Sequence, residues 1–191
     1  MDYIYPKLKS LFPTSIKDHS SEDLYRAVNK VEAGPIRTGS DEVTNSLHAL
    51  VRYELEKSLM SKDLSFKDLP YAWADKYMEY LGVKVKDHKE GVLQDVSWAS
   101  GDVGYFPTAV LGSAYSAIML RHMKEDIDID ECGRTGDMAT INEWNREHVW
   151  QYLGLYDTSE VIGKLIGDSS AIDGDSYIQY LDRKYSEIYK L

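Results

Sequence analysis

Gly91 to Gly112 read Gly-Val-Leu-Gln-Asp-Val-Ser-Trp-Ala-Ser-Gly-Asp-Val-Gly-Tyr-Phe-Pro-Thr-Ala-Val-Leu-Gly. The stretch is largely apolar, yet it is interrupted by Gly91, Gly101, Gly104, Pro107 and Gly112. Glycines in such a stretch indicate backbone in special conformations or a close approach by another group. Proline is tolerated in the first turn of a helix, so the sequence predicts a loop that leads into a helix. Such a segment either builds one wall of a pocket or merely crosses a core.

Helical periodicity dominates the rest of the chain. The predicted helix from Thr108 to about Lys124 is apolar on nearly every side, which is typical of a buried helix. A second long helix is predicted from Asp41 to about Met60, capped by Thr38 or Ser40. Its apolar stripe has a period near 3.6 residues and consists of Val43, Leu47, Leu50, Val51 and Leu55, while Arg52, Glu54, Glu56 and Lys57 supply its polar side.

Shorter elements complete an all-α prediction. Further helices are predicted after Ser20–Asp23, from Asp68 to Gly82, from Met138 to Leu153, from Asp157 to Gly167, and from about Gly174 to Tyr189. Two segments are predicted to be non-helical: Ile36–Ser40 as an extended joint and Glu125–Asp137 as an acidic loop. No convincing pair of strands is present, and the length of 191 residues favours a single domain over residues 1–191.

Composition argues against two classes of binding partner and favours one cellular compartment. The formal net charge of -10 argues against a nucleic-acid partner or an anionic membrane surface, and no apolar run approaches the ~20 residues of a membrane span. Cys132 is the only cysteine, so an internal disulfide and a cysteine-based metal site are excluded. The N-terminus does not resemble a signal peptide. We therefore expect a cytoplasmic protein without a nucleic-acid or membrane partner.

No metal site is predicted from the residues. His19, His48, His88, His122 and His148 never occur at the four-residue spacing that places two imidazoles on one helix face, and His-Glu-x-x-His is absent. The acidic run from Asp126 to Glu131 lacks the glycine and the final glutamate of a calcium loop, so a solvated turn is favoured. Neither a Gly-x-Ser-x-Gly motif nor a phosphate-binding loop is present.

Arg37 is the candidate binding residue. It lies at the joint between a chain break at Gly34-Pro35 and the start of the long helix. A guanidinium near free helix amides suits a carboxylate ligand. The alternative is a surface arginine that pairs with Asp41 or Glu42.

Several motifs resemble a known family. Ile36-Arg37-Thr38-Gly39-Ser40-Asp41-Glu42 and Gly104-Tyr105-Phe106-Pro107 are similar to two signature motifs of the carboxypeptidase Taq family of zinc metallocarboxypeptidases. Further segments resemble the same family and occur in the same order: Leu47-His48, Arg52–Lys57, Asp68-Leu69-Pro70, Trp73, Gly91–Val96, Tyr180-Leu181 and Lys184-Tyr185. The resemblance extends from about Tyr5 to Leu191.

The resemblance implies a mostly helical fold from a zincin-like, two-lobed and usually homodimeric enzyme. Such enzymes remove single residues from peptide C-termini with one zinc or cobalt ion. The metal ligands and the general base belong to His-Glu-x-x-His and His-Glu-Ser-type motifs, which lie upstream of the resembling segment. This chain is therefore expected to be the helical C-terminal part of such an enzyme, without the metal-binding helix and with no cofactor of its own.

The resemblance implies roles for three residues. Arg37 matches the arginine that holds the terminal carboxylate of the substrate, and Tyr105 matches the catalytic tyrosine at the reacting carbonyl. Asp41 matches an aspartate of the substrate-binding motif, where capping or orienting the loop is its favoured task. The chain departs from the family at Gly39-Ser40, Asn45-Ser46 and Ser97, where Glu-Ala, a tyrosine-containing pair and a histidine are common.

Two hypotheses follow from these motifs. The first is a carboxypeptidase-related protein that carries half of the substrate cleft and is inactive alone. Such a protein either works with a separately encoded metal-binding half or is a decayed remnant. The second is a non-catalytic helical binding or assembly module that recognises peptide C-termini. Both take a peptide C-terminus as ligand. A truncated chain should also expose apolar surface, so we expect a homo-oligomer, with Tyr3–Phe12 as a candidate face.

Overall fold

The computed structural model describes residues 1–166 and 174–191, and the residues within these ranges form helices and loops without a strand. The predicted all-α class is therefore confirmed. The ten α-helices of the described ranges are α1 (Tyr5–Leu11), α2 (Ser21–Val28), α3 (Glu42–Met60), α4 (Leu69–Leu81), α5 (Ser97–Ser100), α6 (Tyr105–Asp126), α7 (Ile129–Thr135), α8 (Met138–His148), α9 (Thr158–Ile166) and α10 (Gly174–Tyr189). Arg37–Gly39 and Trp150–Tyr152 are 3-10 turns.

The chain divides into two compact units. One consists of Met1–Val28 and Ser113–Leu191, and the other of Asn29–Gly112. Whether residues 1–191 act as the single domain that we expect stays a prediction. None of the helices in the described ranges is long and apolar enough to cross a membrane.

Helices α3 and α4 form the core of the unit Asn29–Gly112. Asp41 caps α3 by accepting hydrogen bonds from the amides of Val43 and Thr44, both at 2.9 Å. The expected cap at Thr38 or Ser40 is therefore wrong, because the Asp41 carboxylate satisfies two free amides at once. Gly82 ends α4 in the left-handed conformation, as the sequence predicts. The buried apolar side chains that pack together are Val51 and Leu55 from α3 and Leu69, Trp73, Tyr77 and Leu81 from α4.

Helix α6 begins three residues earlier than predicted. Gly104, with φ +80°, immediately precedes it, and Pro107 lies in its first turn. The expectation that α6 is buried on every side is wrong, since Leu111 is 43% exposed. The buried side chains of α6 are Phe106, Ala114, Ala117, Ile118 and Met123.

The unit Met1–Val28 with Ser113–Leu191 has a separate core, which joins Met123, Trp144, Val149 and Val161. The predicted acidic loop contains helix α7, because Asp128 caps this helix at the Glu131 amide and Cys132 supplies a buried side chain. Helix α8 ends at His148 rather than at Leu153. The predicted end of α9 at Gly167 lies outside the described residues.

Smaller differences concern the first forty residues. Helix α1 buries no residue, and Leu11 and Phe12 are 70% and 54% exposed. The segment Ile36–Ser40 contains a 3-10 turn in place of the predicted extended joint. The ring of Tyr3 packs against Gly136, which has φ +80°.

Candidate functional site

Arg52 is the centre of a buried polar network. It is 0% exposed, and all five N–H donors of its guanidinium are satisfied. Nη1 donates to the His48 carbonyl at 2.8 Å and to the Tyr77 hydroxyl at 3.2 Å. Nε donates to Asp95 Oδ2 at 2.5 Å, and Nη2 donates to the same oxygen and to Gln94 Oε1. A saturated guanidinium has no donor left for a ligand, so Arg52 is a structural residue.

Two aromatic rings enclose the Arg52 guanidinium. Its Cζ lies 4.7 Å from the centroid of the Trp73 ring and 5.1 Å from that of the Phe106 ring. Stacking of a cation on aromatic faces compensates in part for the loss of water around it. Helical periodicity predicts Arg52 on the polar side of its helix, which is wrong because α4 and the start of α6 cover that side.

Arg37 shares Asp95 with Arg52. The Arg37 Nε and Nη2 atoms both donate to Asp95 Oδ1 at 3.1 Å. Its main-chain N–H donates to Gln94 Oε1 at 2.9 Å, and its Cζ lies 4.9 Å from the Phe106 ring centroid. The ion-pair partner of Arg37 is therefore Asp95, and the alternative of a surface pair with Asp41 or Glu42 is wrong.

Part of the Arg37 guanidinium is available to a ligand. The side chain is 28% exposed. Its Nη1 group donates no hydrogen bond to any residue that the structure describes. Arg37 thus has one edge held by Asp95 and the other edge open, an arrangement that suits an anion.

The arginine–aspartate cluster, defined as Arg37, Arg52 and Asp95, carries one net positive charge, since two arginines face one carboxylate. The neighbouring His48 adds no charge at neutral pH. Burial, followed by the nearby charges of Arg52 and Arg37, lowers its pKa from 6.5 to about 4. The cluster is thus one negative charge short of neutrality.

The hydrogen bond between Tyr77 and His48 fixes the tautomer of the His48 ring beside the cluster. The His48 Nδ1 atom lies 3.0 Å from the Tyr77 hydroxyl oxygen. That oxygen accepts a hydrogen bond from Arg52, and its neighbour Gln94 Nε2 at 3.4 Å is not an acceptor, so the hydroxyl proton is directed to Nδ1. Burial raises the pKa of Tyr77, which keeps the hydroxyl protonated. Nε2 of His48 therefore carries the imidazole proton, and this buried donor has no partner among the described residues.

The Asp41 carboxylate accepts hydrogen bonds mainly from main-chain amides. Besides the two cap contacts, its Oδ2 atom accepts from the Glu32 amide at 3.0 Å and from the Thr44 hydroxyl at 2.8 Å. Burial acts to raise the pKa of Asp41, but the amides of Thr44, Glu32 and Val43 and the Thr44 hydroxyl hold it below the ordinary value. These contacts fix the loop around Arg37, whereas direct contact of Asp41 with a substrate stays a prediction.

Tyr105 lies next to the same cluster through Phe106. It is the first residue of α6 and is 58% exposed. Its ring meets the Phe106 ring edge-on, with centroids 5.7 Å apart, and the Arg37 guanidinium lies over the same Phe106 ring. The Tyr105 hydroxyl donates no hydrogen bond within the described part of the chain. The structure therefore brings both predicted residues to one aromatic side chain, and each offers an unused donor.

Glu56 is a site residue that pattern alone did not single out. It is 4% exposed and accepts from the Trp98 Nε1 atom at 2.6 Å and from the Gly104 amide at 2.9 Å. The available signal was spacing, because His48, Arg52 and Glu56 follow at intervals of four residues and so share one helix face. The sequence indicated Gln94 and Asp95 as site residues only through the family resemblance of the segment that contains them.

An apolar groove lies between α3 and the start of α6. It encloses about 420 Å³, and the residues that line it are Ser46, Leu47, Ala49, Leu50, Tyr53, Pro107, Val110 and Leu111. Of the two alternatives for the stretch Gly91–Gly112, a pocket wall or a segment that crosses a core, the groove agrees with the first at Pro107, Val110 and Leu111.

The described residues do not fit a catalytic metal. Within 1–166 and 174–191, no three His, Cys, Asp or Glu side chains come together in a way that could hold a metal ion. Asp95, the carboxylate nearest to Arg37, already forms ion pairs with two arginines and so is not available as a metal ligand.

Comparison with known proteins identifies the family. Residues 1–185 match the family model described as carboxypeptidase Taq (M32) metallopeptidase. The chain belongs to this family. It is 37% identical over 188 residues to carboxypeptidase 1 of Bacillus subtilis, covering 98% of this chain and 37% of the relative. It is also 37% identical over 186 residues to thermostable carboxypeptidase 1 of Thermus thermophilus, covering 97% of this chain and 36% of the relative.

Solved structures agree with the sequence relatives. The M32 carboxypeptidase from Deinococcus radiodurans R1 matches with a TM-score of 0.93 and 30% identity over 100% of this chain and 38% of that chain. Pyrococcus furiosus carboxypeptidase matches with a TM-score of 0.91 and 35% identity over 96% of this chain and 37% of that chain. This M32 chain therefore spans a little over a third of the length of the relatives that it matches.

Proposed function

We propose that this M32 chain is the C-terminal part of a metallocarboxypeptidase cleft and binds the terminal carboxylate of a peptide at Arg37. The observation that carries the proposal is the half-open Arg37 guanidinium, which is held on one edge by Asp95 and free on the other. A planar guanidinium can meet a carboxylate with two parallel hydrogen bonds, which the point charge of lysine cannot do.

Charge supports the same ligand. The arginine–aspartate cluster has one surplus positive charge, and a peptide carboxylate carries one negative charge. Asp95 also prevents the guanidinium from rotating away, so little side-chain entropy is lost when the ligand binds.

Tyr105 has a role at the reacting carbonyl in this proposal. Its exposed hydroxyl can donate a hydrogen bond to the oxygen on which negative charge develops during attack on the peptide bond. Tyr105 and Arg37 both contact the Phe106 ring, so one peptide C-terminus can reach both side chains in this proposal. The terminal carboxylate and the carbonyl of the last peptide bond are neighbours in the substrate, as this arrangement requires.

Catalysis requires a second protein part. Because the described residues do not assemble a metal site, we propose that the metal-activated water and the general base come from a metal-binding half. We therefore expect the chain to be inactive alone. The apolar groove between α3 and α6 is a surface that such a half can cover. Location in the cytoplasm and the absence of nucleic-acid and membrane partners stay predictions.

The second candidate function is a non-catalytic module that binds peptide C-termini. It is favoured by the lack of a metal-binding group in the described residues, since Arg37 can bind a carboxylate without any metal. Either function is compatible with a homo-oligomer, for which the exposed Leu11 and Phe12 are the candidate contacts.

Complementation tests the first function. The chain is mixed with a metal-loaded N-terminal part of Bacillus subtilis carboxypeptidase 1, and release of C-terminal residues is measured. We expect activity to arise in the mixture, Arg37→Lys to raise KM and Tyr105→Phe to lower kcat by about 100-fold, as for loss of an oxyanion donor.

Matched controls are available on the surface. Arg134→Lys changes an arginine whose partner is Glu131 on the same helix, and Tyr71→Phe changes a tyrosine that is 74% exposed. Both should leave KM and kcat unchanged. An active mixture that is indifferent to changes at Arg37 and Tyr105 would contradict the proposal, whereas carboxylate binding without activity would favour the binding module.

A further inference from the structure

Two buried charged residues of α3 hold two different loops. Arg52 and Glu56 are one helical turn apart, and both are nearly inaccessible to solvent. Arg52 binds Asp95, whose other oxygen holds Arg37. Glu56 binds the loop that ends at Gly104, directly before Tyr105.

The Glu56 carboxylate fixes this loop at both ends. One oxygen accepts from the Trp98 indole at 2.6 Å, and the other accepts from the Gly104 amide at 2.9 Å. Gly104 has φ +80°, so the chain turns sharply there before α6 begins. A charged acceptor forms stronger hydrogen bonds than a neutral one, which makes this attachment firm.

We infer that helix α3 sets the spacing between the carboxylate-binding arginine and the catalytic tyrosine, with Glu56 as the positioning residue for Tyr105. Arg52 acts in the same way for Arg37, through Asp95. The inference rests on the proposed function for the roles of Arg37 and Tyr105. The attachment of Tyr105 to α3 through Glu56 does not depend on those roles.

The two attachments have separable consequences. Release of Gly104 displaces the Tyr105 hydroxyl but leaves Arg37 on Asp95. Peptide binding should then persist while the chemical step slows, and a misplacement of about 1 Å is enough for an effect of about 100-fold.

The variant Glu56→Gln tests this inference. Glutamine retains the shape of glutamate but presents an amide donor to one of two N–H groups, so one of the two contacts is lost, whereas Glu56→Leu offers no acceptor and removes both. In the complemented enzyme we expect kcat to fall by about 100-fold with KM unchanged. Glu54→Gln is the matched control: Glu54 lies on the same helix and binds the Tyr80 hydroxyl and Lys76, away from the loop, so kcat and KM should not change.

A second variant separates position from stability. Trp98→Phe removes the indole donor and part of the packing on Trp73, but leaves the Gly104 contact to Glu56. It should lower the midpoint of thermal unfolding while kcat stays near that of the unmodified chain. A kcat that falls in proportion to stability in both variants would overturn the inference.

An NMR measurement on the chain alone decides the attachment independently of activity. In Glu56→Gln or Glu56→Leu, hydrogen exchange at the Gly104 amide should accelerate by about tenfold or more, and in Glu54→Gln it should not. If the complemented mixture is inactive but exchange accelerates, the proposed function fails and the attachment stands. Unchanged exchange at Gly104 in both Glu56→Gln and Glu56→Leu would overturn the attachment itself.

Discussion

Arg52 and Asp95 form an ion pair that is almost completely removed from water: the arginine side chain is 0% exposed and the aspartate side chain is 4% exposed. The same carboxylate holds Arg37 through its other oxygen. One buried aspartate thus compensates the structural arginine and aligns the candidate binding arginine. Removal of one partner from a buried ion pair is far more harmful than absence of the pair, because the remaining charge is left without compensation.

Asp95→Asn should therefore destabilise the unit Asn29–Gly112 by about 3–5 kcal/mol. The free energy of unfolding is measured by urea titration with circular dichroism as the signal. Asp102→Asn, at an exposed position of the following loop, is the control and should change the free energy of unfolding by less than about 0.5 kcal/mol. Equal losses in the two variants would show that the buried pair is not the cause.

Asp41→Ala should lower the free energy of unfolding by about 1–2 kcal/mol, because two amides at the start of α3 lose their acceptor. Asp68→Ala is the matched control, since Asp68 occupies the same position before α4 without a cap hydrogen bond from its side chain. Thermal unfolding of both variants gives the comparison. A loss at Asp68 as large as that at Asp41 would contradict the capping role.

Stability should fall with acid as a result of His48. Its pKa is about 4 in the folded chain against 6.5 for the ordinary value, so the unfolded chain binds the proton first as pH falls. The contribution is complete above pH 6.5 and is lost between pH 6.5 and 4, with a slope of about 1.4 kcal/mol per pH unit.

His48→Gln should flatten this slope, because glutamine does not titrate. The measurement is urea unfolding at several pH values between 4 and 7. A slope that is the same with and without His48 would assign the acid sensitivity to other groups.

Gly136→Ala should be strongly destabilising. A Cβ atom there would lie 2.4 Å from the Tyr3 ring, and φ is +80°. In contrast, Gly133→Ala in helix α7 has open space around it and should stabilise by about 0.5–1 kcal/mol. Differential scanning calorimetry of both variants provides the test, and opposite shifts of the unfolding midpoint are expected.

The chain alone should hold no stoichiometric zinc after dialysis and should release no amino acid from a peptide. The physical reason is ligand count, since the described residues do not bring three metal-binding side chains together. Elemental analysis by mass spectrometry provides the measurement. One tightly bound zinc per chain would contradict the ligand argument.

Sequence periodicity predicted α3 and α4 because each has one apolar stripe. The stripe of α3 and the Gly82 stop after α4 are local signals, and both were sufficient. Periodicity could not predict that Arg52 and Glu56 are buried, because a charged side chain is assigned to solvent unless its partners are known. Asp95 and Gly104 are 43 and 48 residues away from these two side chains, so the pairing is a property of the tertiary fold.

Arg37 and Tyr105 were found through motifs, but their surroundings were not. The sequence favoured neighbours of Arg37 as its partner, whereas Asp95 is separated from it by 58 residues. Helix α7 was missed because it lies within the acidic segment Glu125–Asp137, although Asp128 gives it a cap.

The saturated guanidinium of Arg52 also has a consequence for the order of folding that we expect in this unit. Two of its partners, Tyr77 and Asp95, are 25 and 43 residues further along the chain. Closing loops of that length costs entropy, and an arginine stripped of water before its acceptors arrive would raise the barrier further. Arg52 must therefore stay hydrated until α3, α4 and the segment around Asp95 have met. We therefore expect burial of this side chain to be a late event in the folding of the unit Asn29–Gly112.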